Sequence, residues 1–490
     1  MARGDSQSRR PARRRILAAL AALLVLSLGL SGLFVLRPEL ADRWLGGQRA
    51  APGWRPAPAE LNPPQVLAEM TESAPAPSTD GLRAALDALA DSAGLGERLH
   101  ISVRDVLTGT ELYDRGAATA TVPASTTKLV TAVTVLASRG AAYRIPTRVV
   151  AGATPGEVVI IGGGDPTVAA GPKGAYAGAA RLDELAAQVK KALGGTPITK
   201  VTVDSSLYTG PVYGPGWDAD IPTGGCGGAV TALMVDGARI DPTASGCTPR
   251  HREPDLAAGR AFAKALGLPA DTVSRGSAPG SNGAPANGAV PSATAGASVS
   301  VGMELGRVES PPIVRLVEFM LEHSDNLVAE ALARQVALAR GQPASFAGAA
   351  AAMDAVLAEL GLDAAQSDLS DGSGLSRRNR LSPALLTGLL ARAADGARPE
   401  LTAMFAGLPV AGWSGTLGDR YAGSAESGLG VVRAKTGTLS GVNSLSGVVT
   451  TADGRLLAFA VMADQVPVGF WAAQPALDRI AARLAACGCR

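Results

Sequence analysis

The stretch VVRAKTGTLSGVNSLSGVVTTADGRLLAFAVMAD, residues 431–464, predicts three consecutive β-strands. Apolar and small residues fill three blocks that are separated by Ser440-Gly441 and by Asp453-Gly454. An Asp-Gly pair between two such blocks is typical of a tight hairpin, because both residues tolerate the backbone angles that the turn requires. The stretch therefore predicts an antiparallel unit near the end of the chain.

The first part of the chain carries a similar pattern. Residues 100–116, HISVRDVLTGTELYDRG, hold two apolar-alternating runs on either side of a Thr-Gly pair, which predicts a hairpin. Helical patterns are predicted at 80–93, from Ser125 to Gly140, and at 471–486. Strands at both ends with helices between them predict an α+β fold, an antiparallel sheet flanked by helices.

The middle of the chain, residues 148–302, has a different pattern. Short runs such as GEVVIIGGG and TKVTVDSSLY predict strands, and one helix is predicted over 182–193. We interpret this segment as a smaller, mainly β domain. It would be inserted between two parts of the helix-and-sheet domain, 81–147 and 303–490.

The N-terminus predicts export. Residues 1–15 contain six arginines, and residues 16–36 contain no charged residue over 21 positions. That length suits a helix that spans a bilayer, and Arg37 follows where a small-residue cleavage site would stand. We expect an uncleaved transmembrane anchor, with a cleaved signal peptide as the alternative. In both cases the basic segment stays in the cytoplasm and the body is exported, and the Pro/Ala-rich segment 37–80 would be a stalk.

The composition places only broad limits on the size of the core and on possible partners. The chain has 490 residues, 47% of them apolar, which is enough for one large core or two. Its net charge of +2 does not indicate nucleic acid or another acidic polymer as a partner. The pattern of His, Cys, Asp and Glu fits no metal-binding motif, so we expect no metal and no cofactor.

The chain holds four cysteines. Cys226 and Cys247 lie in one Gly-rich region, and in an exported protein they are candidates for a disulfide, the alternative being two separate buried thiols. Cys487 and Cys489, at the end of the chain, fit no zinc pattern, and the sequence leaves their redox state open.

Three short motifs carry chemistry. Ser125 and Lys128 are three positions apart at a predicted helix start, so their side chains share one face. Alone, this pair is a common helix beginning. Two further motifs follow along the chain: Ser324-Asp325-Asn326 at another helix start and Lys435-Thr436-Gly437-Thr438 on a predicted strand.

This ordered set is the signature of penicillin-binding proteins and class A β-lactamases. The sequence also contains GGGDPT at 162–167, DGSGLSRRNRLSP at 371–383 and LPVAGWSGTLGDRY at 408–421. With these it resembles the exported D-Ala-D-Ala carboxypeptidase/endopeptidase family, the low-molecular-mass class C penicillin-binding proteins. That family carries a domain inserted between the first two motifs. Here 199 positions separate Ser125 from Ser324, which agrees with such an insertion.

The resemblance implies a role for each motif residue. Ser125 would be the nucleophile and Lys128 its base, while Ser324 and Lys435 would pass the proton to the leaving D-alanine. The backbone N–H groups of Ser125 and Thr438 would form the oxyanion hole. Substrate binding would fall to Asn326, Thr436, Gly437 and Thr438. Asp371 and Arg420 belong to the longer motifs, and the sequence does not decide between a structural role and contact with substrate.

The implied function is a penicillin-binding serine carboxypeptidase at the outer side of the cell membrane. It would trim peptidoglycan stem peptides through an acyl-enzyme, and β-lactams would acylate it covalently. Cleavage of D-Ala cross-links, an endopeptidase activity, stays open. The alternatives are a β-lactamase and a non-catalytic penicillin-binding sensor or scaffold.

Overall fold

The computed structural model describes residues 74–280, 300–467 and 473–489. In chain order its α-helices are α1 Thr79–Ala90, α2 Thr127–Arg139, α3 Leu182–Leu193, α4 Asp220–Thr223, α5 Pro254–Leu266, α6 Ile313–His323, α7 Asn326–Ala339, α8 Phe346–Glu359, α9 Pro383–Ala394, α10 Pro399–Thr402 and α11 Gln474–Ala485. Its strands are β1 Leu99–Asp105, β2 Glu111–Arg115, β3 Pro146–Ala151, β4 Glu157–Ile161, β5 Lys200–Asp204, β6 Val273–Arg275, β7 Glu304–Glu309, β8 Ser367–Asp368, β9 Arg380–Leu381, β10 Val432–Leu439, β11 Val442–Thr450 and β12 Leu456–Ala463.

The main sheet is antiparallel and has the order β10-β11-β12-β1-β2. The strands predicted within 431–464 are β10, β11 and β12, and the hairpin predicted within 100–116 is β1–β2. Both predictions are confirmed. The two groups join through β1 and β12, where Leu99 lies opposite Ala463.

Helices cover both faces of this sheet, and β12 shows why. Phe459 and Val461 are buried in the core that contains residues of α1 and α11. Ala460 and Met462, on the opposite face, are buried against the larger helical layer that contains α2, α6, α7, α8 and α9. Successive side chains of a strand point to opposite faces, so a nearly continuous apolar run is buried on both sides. The predicted α+β arrangement of sheet and flanking helices is therefore observed.

A second sheet is built entirely from residues 146–309 and has the order β6-β5-β4-β3-β7. Strand β3 pairs antiparallel with β4 and β7, whereas β4–β5 and β5–β6 are parallel. Leu185 of α3 and Phe262 of α5 share an apolar core with Ile160 of β4 and Val203 of β5. The boundaries of an inserted domain stay a prediction.

The expectation that this segment is mainly β is corrected by its helices. Helix α3 matches the predicted helix at 182–193, but α5, residues Pro254–Leu266, was not predicted. Its buried positions follow helical spacing, but only Phe262 and Leu266 among them are large apolar residues, so the pattern is hard to recognise in the sequence. Gly259 is needed there because an added Cβ would lie 2.4 Å from a methyl group of Val203 in β5.

The predicted anchor at 16–36 and all but the last few residues of the predicted stalk lie outside the described residues. Within the described ranges, no helix has both the length and the apolar character needed to cross a membrane.

Candidate active site

Ser125 sits in a short turn that leads directly into α2. Ala124, just before it, has a φ of +48°, a conformation that is uncommon for residues other than glycine and is often found at functional sites. The hydroxyl of Thr126 donates to the Pro123 carbonyl over 2.7 Å, and that of Thr127 donates to the Ala124 carbonyl over 2.9 Å. These bonds fix the turn and leave the Ser125 side chain half-buried between buried neighbours.

Lys128 is fully buried and donates to three oxygen atoms. Its Nζ lies 2.9 Å from Ser125 Oγ, 2.6 Å from Asn326 Oδ1 and 2.6 Å from the backbone oxygen of Ser373. An ammonium group has three protons, so this set satisfies it completely.

Burial lowers the pKa of Lys128 to about 8, although the carboxylates of Asp371, Glu330 and Asp325 act in the opposite direction. Removal from water disfavours the charged amine. An amine with that pKa is partly unprotonated near neutral pH. It can therefore take the hydroxyl proton of Ser125, to which it is already hydrogen-bonded.

The second motif forms the link between α6 and α7. Ser324 ends α6 with a φ of +56°, and the Asp325 side chain caps α7 by accepting from the backbone N–H groups of Leu327 and Val328. This cap fixes the first residue of α7, Asn326, so that its amide faces Lys128.

The other carboxylate oxygen of Asp325 contacts the middle segment of the chain. It accepts from Arg239 over 2.8 Å and from the hydroxyl of Tyr176 over 3.1 Å. Burial alone would raise the pKa of Asp325, but the guanidinium groups of Arg250 and Arg239 outweigh it and hold the pKa below its ordinary value. Arg239 and Arg250, which lie between β3 and β7, thus keep the Asp325 side chain that caps α7 ionised.

Asn326 is held from both sides. Its Oδ1 accepts from Lys128, and its Nδ2 donates to the backbone carbonyl of Cys226 over 2.7 Å. Cys226 and Cys247 are joined by a disulfide, and Cys487 is paired with Cys489. An amide nitrogen carries two protons, so one N–H of Asn326 remains for a substrate.

Strand β10 lies directly against the Ser125 turn, and Gly437 makes this approach possible. A Cβ at Gly437 would lie 2.1 Å from Ser444 Oγ, 2.7 Å from the Pro123 oxygen and 3.1 Å from the Ser125 nitrogen. Ser444 also donates to the Pro123 carbonyl over 2.7 Å. Only glycine allows β10 and the nucleophile turn to pack this closely.

The outer edge of β10 is divided into two parts. The Ala434 N–H donates to the Pro409 carbonyl and the Val432 carbonyl accepts from the Ala411 N–H. Residues 409–411 therefore cover the part of the edge at the beginning of β10. Backbone groups of alternate residues in a strand point the same way. The N–H and C=O groups of Thr436 and Thr438 therefore also point away from β11, toward the side on which a substrate can pair.

Lys435 is also fully buried, and its ammonium donates to the Thr436 carbonyl over 2.9 Å. Burial, reinforced by the charge of Lys128, lowers the pKa of Lys435 well below its ordinary value. The two lysines therefore influence each other's pKa, and they titrate as a coupled pair. The hydroxyl of Thr436 lies 2.8 Å from that of Thr416, in the 408–421 motif.

The structure thus brings most of the predicted residues together. Direct hydrogen bonds join Ser125, Lys128 and Asn326, and Gly437 contacts the same turn. Ser324 is half-buried two positions before Asn326, and Thr438 is half-buried on the open edge of β10. Within the described ranges, no hydrogen bond joins Ser324 or Lys435 to Ser125. A relay through them would need the substrate in place.

Two residues that the sequence left open have structural partners. Asp371 accepts from Trp217 Nε1 over 2.7 Å, from Asn379 and from the backbone N–H groups of Gly374 and Ser376. Arg420 donates to Asp478 over 2.6 Å. Both carry structural roles.

The contribution of Ser373 and Glu330 was missed. The Ser373 carbonyl accepts from Lys128, and the buried carboxylate of Glu330 holds that loop by accepting from the Gly372 and Ser373 N–H groups. The DGSG motif was identified in the sequence, but a contact made through a backbone carbonyl cannot be recognised from the residue types. No cluster of metal-binding side chains occurs in the described part of the chain.

Comparison with known proteins places these features in a family. The chain matches the model of the D-Ala-D-Ala carboxypeptidase 3 (S13) family over residues 82–265 and 244–485. A carboxypeptidase of Mycobacterium tuberculosis is 41% identical over 456 residues, which cover 91% of this chain and 92% of the relative. The carboxypeptidase DacB of Mycolicibacterium smegmatis is 38% identical over 443 residues, covering 89% of this chain and 90% of the relative.

The fold has a match among solved structures. The crystal structure of penicillin binding protein 4 from Haemophilus influenzae superposes with a TM-score of 0.62 and 21% identity, covering 82% of this chain and 97% of that chain. A second structure of that protein, complexed with a β-lactam, has a TM-score of 0.57 at 21% identity and covers 83% of this chain and 98% of that chain. At this identity the match shows the fold alone.

Proposed function

Because this chain belongs to the D-Ala-D-Ala carboxypeptidase 3 (S13) family, we propose that it is a serine carboxypeptidase that removes the terminal D-alanine from peptidoglycan stem peptides. The observation that carries the proposal is the 2.9 Å hydrogen bond between Ser125 and the fully buried amine of Lys128. The hydroxyl is half-exposed beside an open strand edge, where an extended peptide can reach it.

Acylation begins at Ser125. The unprotonated amine of Lys128 takes the hydroxyl proton while Oγ bonds to the carbonyl carbon of the penultimate D-alanine. The C–N bond then breaks, the leaving amine receives a proton through Ser324 and Lys435, and free D-alanine departs. A water molecule hydrolyses the resulting ester and restores Ser125.

The oxyanion of the tetrahedral intermediate is stabilised by the backbone N–H groups of Ser125 and Thr438. The outward direction of the Thr438 N–H supports this role, since Ala434 on the same edge donates away from β11. Each such donor is commonly worth about 3–4 kcal/mol in acyl transfer.

The substrate carboxylate is bound by the hydroxyls of Thr436 and Thr438 with the charge of Lys435. The peptide amide is held by the remaining N–H of Asn326, whose other polar contacts are already made to Lys128 and Cys226. The substrate peptide pairs with the uncovered edge of β10, where Gly437 allows the Ser125 turn to pack close to the strand.

The chain acts at the outer side of the cell membrane. Six arginines precede the uncharged segment 16–36, which supports a single-pass anchor with the catalytic part outside, carried on the stalk at 37–80. Residues 148–302 form the inserted domain. The mass of the mature protein distinguishes an anchored chain from one whose signal peptide has been cleaved.

The experiment that tests the activity uses purified full-length protein and a peptide ending in D-Ala-D-Ala. D-alanine release is expected from the wild type and not from Ser125→Ala. Equal release by the two proteins would contradict the proposed mechanism.

β-Lactams are expected to acylate Ser125, and the β-lactam complex of the Haemophilus influenzae protein supports this. The lifetime of the penicilloyl adduct separates the alternatives. An adduct that lasts for hours agrees with a penicillin-binding protein, rapid turnover indicates a β-lactamase, and acylation without any peptide cleavage indicates a sensor or scaffold.

A further inference from the structure

A cavity of about 270 Å³ lies where the segment after β5 meets helix α7. Its walls come from the end of β5 and the residues that follow it, from β6 and from Arg334 of α7. Within the described ranges, none of the residues assigned to the reaction lines it. Its volume is just below the range of about 300–1,000 Å³ that is usual for sites of drug-sized ligands, so a smaller molecule fits.

Arg334 is the wall residue that indicates a ligand. Its side chain is 1% exposed, and its Nη1 donates to the backbone carbonyl of Glu330 over 2.9 Å and to the Glu330 carboxylate over 3.1 Å. The guanidinium lies 4.1 Å from the ring centre of Phe346 and 5.3 Å from that of Tyr208. These contacts hold the guanidinium in one position.

The other edge of this guanidinium has no acceptor. In the part of the chain that the structure describes, the hydrogen bonds of Arg334 all start at Nη1, and Nε and Nη2 make none. Buried polar groups are nearly always hydrogen-bonded, so an edge without a partner on a cavity wall indicates a ligand that accepts. Two parallel N–H groups of a guanidinium match the two oxygens of a carboxylate.

The other wall residues suit a single carboxylate with an apolar body. Asp255 also lines the cavity, but Arg275 donates to its two carboxylate oxygens over 2.6 and 2.8 Å, so its charge is compensated. Val203, Val212 and Val230 supply apolar surface. One guanidinium edge between apolar walls suits a short aliphatic acid better than a phosphate, which needs more donors.

Arg334 is connected to the proposed base through Glu330 and Ser373. The second carboxylate oxygen of Glu330 accepts from the Ser373 N–H over 2.9 Å, and the Ser373 carbonyl accepts from Lys128 over 2.6 Å. Burial lowers the pKa of Lys128, and the carboxylates of Asp371 and Glu330 oppose that effect. A carboxylate bound to Arg334 adds negative charge on the same side, and this favours the ammonium form of Lys128, which cannot accept a proton.

We propose that this cavity binds a small carboxylate through the Nε and Nη2 edge of Arg334, and that its occupation slows the acylation of Ser125. The inference rests on the proposed function for the role of Lys128 as the base. The ligand class is a short aliphatic monocarboxylate, and the site is separate from the one that would bind the carboxylate of the substrate.

Binding is tested with butyrate and its uncharged analogue butyramide, by isothermal titration calorimetry. The full-length protein is first acylated with benzylpenicillin, so that the substrate site is occupied. Butyrate is expected to bind at one site, and butyramide at least about tenfold more weakly, because charge-assisted hydrogen bonds are lost. Arg334→Gln should weaken butyrate binding to a similar extent.

A second variant leaves the buried pair intact, because Arg334→Gln removes the partner of Glu330 and can unfold the chain. Val212→Glu places a negative charge on the cavity wall at a side chain that is 40% exposed, and should raise the Kd of butyrate by about threefold or more. Ile240→Glu is the matched control, because Ile240 is 58% exposed and outside the cavity lining. It should bind butyrate as the wild type does.

The effect on catalysis is measured as the rate of acylation by a fluorescent penicillin at about pH 7. Saturating butyrate is expected to lower the wild-type rate by about threefold, because less of Lys128 is unprotonated. The butyrate concentration that gives half of this effect should rise in Val212→Glu in proportion to its Kd and stay unchanged in Ile240→Glu.

Three results would overturn the inference: equal affinity for butyrate and butyramide, an acylation rate that butyrate does not lower, or a half-effect concentration that Val212→Glu leaves unchanged. The last result would place the inhibitory butyrate at the substrate site. A wild type that penicillin does not acylate would overturn the proposed function, whereas an acylated protein that does not bind butyrate would overturn this inference alone.

Discussion

The side-chain amide of Asn326 donates to the backbone carbonyl of Cys226 over 2.7 Å. This bond connects the hydrogen-bonded group of Ser125, Lys128 and Asn326 to a loop of the middle segment that is closed by a disulfide. An ammonium group can only donate, so Asn326 must present its oxygen to Lys128 and its nitrogen to Cys226. The carbonyl of Cys226 thereby fixes the orientation of an amide that contacts the proposed base.

Loss of that disulfide is expected to slow acylation. In Cys226→Ser/Cys247→Ser the loop is no longer closed, and displacement of the Cys226 carbonyl frees the Asn326 amide to rotate. Misplacement of a positioning group can cost up to about 100-fold in rate. Stopped-flow acylation by a fluorescent penicillin, measured well below the unfolding temperature, reports the change. Cys487→Ser/Cys489→Ser, which removes the other disulfide, is the matched control and should acylate at the wild-type rate. Normal acylation in both variants would show that the loop has no positioning role.

Acylation should depend on pH through the Lys128 amine. Only the unprotonated amine accepts the Ser125 proton, and burial lowers the pKa of Lys128 to about 8. The rate should therefore rise with pH and level off above an inflection close to pH 8. Because Lys435 is coupled to Lys128, the inflection belongs to the pair. A rate that stays constant from about pH 6 to about pH 9 would exclude Lys128 as the base.

Gly437→Ala should abolish acylation. Its methyl group would lie 2.1 Å from Ser444 Oγ and 2.7 Å from the Pro123 oxygen, so β10 and the Ser125 turn must move apart. Gly171→Ala is the control, because no atom lies within 4 Å of its added methyl group. Penicillin labelling followed by gel fluorescence compares the two, with circular dichroism to confirm folding. Labelling of Gly437→Ala at the wild-type level would contradict the close packing described above.

Arg420→Leu should lower stability and leave catalysis intact. Arg420 pairs with Asp478 over 2.6 Å, and the two side chains are only 11% and 8% exposed. Removal of one partner of a buried pair typically costs about 3–5 kcal/mol. The comparison is Arg83→Leu, whose pair with Asp80 has side chains that are 66% and 90% exposed and should contribute less than about 1 kcal/mol. Chemical denaturation gives both values. A loss of D-alanine release by folded Arg420→Leu would instead assign Arg420 to the substrate.

Local patterns predicted the parts of the fold that local chemistry determines. The hairpin turn at Asp453-Gly454, the stop at Gly140 and helix α3 all follow from turn residues or apolar periodicity. Helix α5 was missed because most of its buried positions are small residues and only Phe262 and Leu266 are large apolar ones. The pairing of β1 with β12 joins strands more than 350 residues apart, and it could only be inferred from the overall α+β pattern.

The residues of the candidate site also divide into those that the sequence could identify and those that it could not. Side chains with a reactive type and a fixed spacing, such as Ser125 and Lys128, could be identified from the sequence. The carbonyls of Cys226 and Ser373 could not, because every residue has a carbonyl and only the fold selects these two. The Arg239 and Tyr176 contacts to Asp325 join segments far apart in the chain, and no local pattern indicates them.

The most direct test of the account is the identity of the residue that carries the acyl group. The full-length protein is incubated with benzylpenicillin, digested and mapped by tandem mass spectrometry. One penicilloyl ester is expected, on Ser125, and none is expected in Ser125→Ala. An ester on another residue, or an undiminished adduct in Ser125→Ala, would contradict it.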